Sequence, residues 1–181
     1  KIIFIYFQLF VYNWNSTQST YIYKMSIKIS IKNSLNQKSI KNHVFFTNKN
    51  FKINELSKLP ISKFSSFINQ SLIANELGDK NFLSLDINAS QKVILIKIKD
   101  SQSQFEIEKI GAEFYVYLKS NLYLKTTFYE QNIRNTFPKN KFFFDQFAQG
   151  LQLKSYEFNK YKSKSKEKKF DIEVFNKNKT F

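Results

Sequence analysis

The stretch "KVILIKIK" (Lys92–Lys99) decides the architecture. Its apolar run, Val93 to Ile96, is continuous rather than alternating. A strand of this kind buries both faces, as in the centre of a sheet covered by helices. The flanks fit that placement. Upstream, "NFLSLDIN" (Asn81–Asn88) alternates, with Leu83, Leu85 and Ile87 inward and Ser84 and Asp86 outward. Downstream, Ile107, Ile110, Phe114 and Leu118 form a helical stripe in "FEIEKIGAEFYVYLKS" (Phe105–Ser120).

The same reading extends to both ends. "MSIKISIKNS" (Met25–Ser34) sets Ile27, Ile29 and Ile31 against Lys28 and Lys32, a half-buried strand, and "HVFFT" (His43–Thr47) is a short second strand. Ile61, Phe64, Ile68 and Leu72 predict a helix from about Ile61 to Leu77, with Pro60 and Ser62 suited to its first turn and Gly78 to its end. "LYLKTTFYE" (Leu122–Glu130) reads as a strand. Phe144, Ala148, Leu151, Ser155 and Phe158 mark another helix, with Phe147 beside the stripe. "FDIEVF" (Phe170–Phe175) closes as a strand with Phe170, Ile172 and Val174 on one face. The order β-β-α-β-β-α-β-α-β predicts an α/β fold, a mixed β-sheet flanked by helices on both faces.

Residues 1–24 stand apart. The chain begins at Lys1, and its first methionine is Met25. "KIIFIYFQLFVYNW" (Lys1–Trp14) is too short to span a bilayer comfortably and lacks the small-residue cleavage site of an export signal. We read 1–24 as an upstream or disordered extension and 25–178 as one domain.

The net charge is +15, yet Arg134 is the only arginine. Nucleic-acid readers rely on the guanidinium fork, so the lysine excess reads as compositional, as an AT-rich coding sequence would produce. Binding to nucleic acid stays as the competing reading, with the lysine tract Tyr161–Lys169 as its natural seat. The chain has no cysteine, which excludes disulfides and thiolate metal sites and is compatible with a reducing compartment.

Little else points to chemistry. His43 is the only histidine and reads as a surface or strand-end residue. The acids Asp79, Asp86, Asp100, Glu106, Glu108 and Asp145 are scattered. Asp86 faces outward from a strand, and Glu106 and Glu108 complement the start of a helix dipole. Gly111 and Gly150 lie inside helices, where glycine allows close packing more often than ligand binding. The sequence contains no G-x-G-x-x-G, P-loop or G-x-S-x-G motif. No catalytic, cofactor-binding or metal-binding residue is assigned.

One segment is more specific. "FAQGLQLKSYEFNKYKSKSKEKKFDIEVF" (Phe147–Phe175) resembles the end of the N-terminal domain of leucyl aminopeptidases, the cytosol aminopeptidase family M17. Gly150, Leu151, Leu153, Ser155, Tyr156, Phe158, Lys160, Tyr161 and Lys162 match the family pattern, with Asn159 where an acid is common. "IEKIGAEFY" (Ile107–Tyr115) resembles the preceding helix and "KVILIKI" the central strand. The resemblance runs from about Met25 to Asn178.

It implies a macro-like α/β domain that is itself non-catalytic. The peptidase chemistry would lie in a second domain holding two divalent metal ions, zinc or manganese, whose "FDSGG" and "NTDAEGR" signatures do not occur here. It further implies a cytoplasmic protein, the catalytic domain of the same polypeptide as partner, a homo-hexamer, and no membrane. Where a glycine-rich turn commonly follows the central strand, this chain has "KDSQSQ" (Lys99–Gln104), which argues against an inherited phosphate site.

Polyanion binding is expected to be weak and insensitive to sequence. Titrating duplexes of different sequence at several salt concentrations checks this. A roughly hundredfold preference that persists near physiological salt would overturn the compositional reading of the charge.

Overall fold

The computed structural model describes residues 24–36, 39–53, 61–74, 80–99, 102–157 and 169–176. Six strands form its main sheet, in the order β2-β8-β6-β3-β5-β4. These are β2 (Ile27–Lys32), β3 (Asn42–Thr47), β4 (Phe82–Asn88), β5 (Gln91–Lys97), β6 (Lys125–Tyr129) and β8 (Phe170–Phe175). All neighbours are parallel except β4, which runs antiparallel to β5 on one edge. The sheet is therefore mixed, as the sequence predicts. Two short strands, β1 (Lys24–Met25) and β7 (Tyr156–Glu157), form a separate antiparallel ribbon.

Helices cover both faces. On one side lie α2 (Gln104–Asn121) and α4 (Phe143–Ser155). On the other, a 3-10 turn (Ser62–Phe64) leads into α1 (Ser65–Ala74). A short α3 (Glu130–Thr136) follows β6. Val93 to Ile96 are fully buried, because their alternate side chains enter two different cores. Ile94 and Ile96 join Phe46, Phe114, Phe128 and Phe147 beneath α2 and α4. Val93 and Leu95 join Phe45, Ile61 and Ile68 beneath α1.

Several sequence expectations shift. β5 is an interior strand covered on both faces, as expected, but the middle of the sheet is β6 and β3, and all six residues of β3 are buried. Its brevity disguised it, since "HVFFT" is bounded by polar residues. Along β2 burial fades from Ile27 to an exposed Ile31, because β2 is an edge strand. The strand expected over Leu122–Glu130 stops at Tyr129, and Glu130 opens α3. That helix has one apolar anchor, Ile133, too little for a periodic signal.

The inward face of α4 is Phe143, Phe147, Gly150, Leu151 and Ser155, with Phe144 packed at its side. Phe147 is thus central to the stripe rather than beside it. The helix ends at Ser155, where pairing of β7 with β1 takes over the backbone. Pro60, Gly78, Phe158, residues 1–23, and the lysine tract up to Lys168 lie outside the described residues.

Two glycines bring α2 and α4 into backbone contact. A Cβ on Gly111 would sit 2.0 Å from the Phe147 carbonyl oxygen, and one on Gly150 would sit 1.8 Å from that of Glu108. Any side chain here forces the helices apart and lifts Phe114 and Phe147 from the sheet. Gly→Ala in an exposed helix normally stabilises by about 1 kcal/mol. Gly111→Ala and Gly150→Ala are expected instead to destabilise by about 3 kcal/mol each, the upper end of overpacking costs. Urea midpoints of both variants check the sign.

Candidate functional site

In open α/β sheets, ligands bind at the carboxyl ends of the strands, where neighbouring connections diverge. Here that point lies between β3 and β6. From β3 the chain moves through α1 towards β4 and β5; from β6 it moves through α3 and α4 towards β8. The register between β3 and β6 covers only His43↔Thr127 and Val44↔Phe128, so the strands part at Phe46.

The gap is filled by the protein itself. Asn132 of α3, fully buried, accepts from the Phe46 backbone N–H at 2.8 Å and donates to its carbonyl at 3.1 Å. One carboxamide thus replaces a strand partner. Phe137 stacks on Phe143 beside it, and Phe46 meets Phe143 edge-on at 5.0 Å. Nothing in the sequence pattern marks Asn132, since polar residues are common in short helices.

The start of α2, a second place for an anion, is also occupied. Ser103 and Glu106 form a capping box: the Glu106 carboxylate accepts from the Ser103 N–H at 2.7 Å, and the Ser103 hydroxyl accepts from the Glu106 N–H. These bonds hold the Glu106 carboxyl below its usual range. A fixed negative charge at this helix start opposes a bound phosphate.

The remaining sequence candidates resolve into structural roles. Asp86 is exposed and pairs with Lys92 across β4 and β5. Glu108 accepts from Gln104, and Arg134 pairs with Glu130 one turn away. Asp145 sits in the first turn of α4. Asp79 and Asp100 lie outside the described residues. Among the described residues, no group of three or more His, Cys, Asp or Glu is placed to hold a metal ion.

His43 differs most from its expected place. It is buried in the middle of the sheet, neither on the surface nor at a solvated strand end. Its Nδ1 lies 2.5 Å from the Tyr129 hydroxyl. Burial, and then the charge of Lys63, push the imidazole down to about 4, while burial pushes the Tyr129 phenol up. Both groups are therefore neutral near pH 7.

Register places His43, Thr127, Glu173 and Ser30 in one row across four strands. Among the described residues, His43 Nε2 and Thr127 Oγ1 in this row are buried without a hydrogen-bond partner, as are Thr126 Oγ1 in the next row and Gln102 Oε1 before α2. Glu173 is engaged by Lys125 at 3.2 Å and stands two strands from His43, about 10 Å away. A carboxylate at that range cannot orient the imidazole, so the row does not assemble an acid–base pair.

No family profile and no curated protein sequence matches this chain. Solved structures do. A mutant of tomato leucine aminopeptidase superposes with a TM-score of 0.56 at 16% identity, covering 85% of this chain and 33% of that one. The macrodomain of Thermus aquaticus DarG superposes with a TM-score of 0.51 at 6% identity, covering 83% of this chain and 97% of that one. The fold is macro-like, and the chain spans about a third of the aminopeptidase it resembles. Among the described residues, no helix is long and apolar enough to cross a membrane.

His43 should make stability pH-dependent. The unfolded chain binds a proton near the ordinary value of 6.5, and the folded protein only near 4. The stability tied to a neutral His43 is complete above pH 6.5 and lost as pH falls towards 4, by up to about 3 kcal/mol. Urea unfolding at pH 7.5 and 4.5 is expected to show this loss in the parent and a shallower one in His43→Gln. Equal pH slopes would contradict it.

Proposed function

We propose that this chain serves as the non-catalytic N-terminal domain of a leucyl aminopeptidase, a metal-dependent cytoplasmic exopeptidase that releases N-terminal amino acids. The observation that carries the reading is the likeness to one third of the tomato leucine aminopeptidase. The motif residues support it for a physical reason. Gly111 and Gly150, central to the two helical segments of the resemblance, are the residues that meet where α2 crosses α4. Leu151 packs into the core beside them, and the Ser155 carbonyl accepts from the Ser26 hydroxyl. The resemblance is thus a packing code for one helix pair.

Under this reading, the two divalent ions belong to the catalytic domain of the same polypeptide. The residues described here do not fit them. The domain would act in assembly, packing on its catalytic neighbour within a homo-hexamer. A second reading, a stand-alone macro-like or basic nucleic-acid-binding module, is favoured by the macrodomain likeness, which covers nearly all of that shorter chain.

Two measurements separate them. The transcript carrying this sequence is expected to continue in frame into the two metal-site signatures; a stop codon with no such frame would favour the module. The isolated chain is expected to show no turnover of leucine p-nitroanilide with added Mn²⁺ or Zn²⁺. Metal-dependent turnover that co-purifies with it would overturn a non-catalytic role.

A further inference from the structure

The outer faces of α2 and α4 carry large apolar side chains that the domain's own core does not use. Phe105 is 75% exposed and Val116 45% on α2; Phe142 is 68% exposed just before α4 and Leu153 56% on it. In each pair the second residue follows the first by eleven positions, about three helical turns, so each pair lies on one line along its helix. Both lines point away from the sheet, opposite Phe114 and Leu118 on α2 and opposite Phe147 and Leu151 on α4. The glycine contact holds the helices side by side, so the lines form one surface.

Charge indicates what covers it. The whole chain carries +15, so most approaches between two copies are repulsive. This surface is the exception. From Gln104 to Asn121 and from Lys141 to Ser155, four acids (Glu106, Glu108, Glu113, Asp145) stand against four lysines (Lys109, Lys119, Lys141, Lys154), so the surface is close to neutral. The acids of α2 include two near its start, and one of its lysines lies near its end. An antiparallel meeting of two α2 helices about a two-fold axis at the level of Gly111 brings Phe105 to the partner's Val116 and Lys109 to the partner's Glu113. Ala112 lies on the same line as Phe105 and Val116, and its small side chain permits close approach.

We propose that the α2–α4 layer is a self-association surface, and that its occupant is the same layer of a second copy in a two-fold arrangement. The inference stands on the surface alone and survives if the aminopeptidase reading fails.

Sedimentation velocity on the full chain tests it, from about 5 to 200 µM, in low and high salt. A dimer is expected that tightens as salt rises, because salt screens the net repulsion between copies. Phe105→Glu with Leu153→Glu is expected to weaken the dimer at least tenfold. Both positions are exposed, so thermal unfolding of the double variant at low concentration should match the parent and separate loss of association from loss of fold. A parent that stays monomeric at 200 µM in both salts overturns the proposal and leaves the surface to another part of a longer polypeptide. A dimer that survives both substitutions, or one that dissolves as salt rises, overturns it as well.

Discussion

The fold depends on the place where α2 and α4 touch. At Gly111 and Gly150 the backbones meet with no room for a Cβ. That distance sets how deeply both helices seat on the sheet. Phe46 contacts Phe143 and Phe147 edge-on, and Phe114 lies beside Phe128 and Phe147. Such ring pairs are sensitive to separation and tilt. Moving one helix outward would loosen several of them together, so helix contact and aromatic core form one cooperative unit.

The same unit explains why the strand-end crevice is closed. Phe143 starts α4 and stacks on Phe137, which ends α3. This stacking holds α3 over the carboxyl end of β3, within reach of the Asn132 carboxamide. A macro-like sheet thus acquires a cap built from its own chain. The architecture is kept while the crevice at the strand ends is given to internal bonding.

Much of this was legible beforehand because apolar periodicity reports burial directly. "KVILIKIK" announced a strand covered on both faces, and Ile107, Ile110, Phe114 and Leu118 form the inward stripe of α2. The misses share a cause. His43, Thr127 and Asn132 are buried polar residues, each fixed by a partner or row distant in sequence. A pattern read along the chain assigns such residues to the surface. Strand order was equally hidden: β3 is central because β5 and β6 flank it, although α2 joins those two directly. In α4 the periodicity places Leu151 and Ser155 correctly, but at the helix start Phe143 and Phe147 face inward in place of Phe144 and Ala148, since Phe143 and Phe144 are both aromatic and only packing distinguishes them.

Left-handed backbone without glycine has a separate consequence. Leu122, which ends α2, and Phe51 both have φ of 56°. A residue with a Cβ loses about 1–2 kcal/mol in that region. Two of the three glycines in the chain stand at the helix contact, where no other residue fits. The turns make do with leucine and phenylalanine. The two sites differ in what holds them. Phe51 is buried, with Lys97 over its ring at 5.5 Å. Leu122 is exposed and rests on bonds from its N–H to the carbonyls of Leu118 and Lys119. Unwinding of α2 therefore begins at its carboxyl end, and amide hydrogens there exchange with solvent well before those around Gly111.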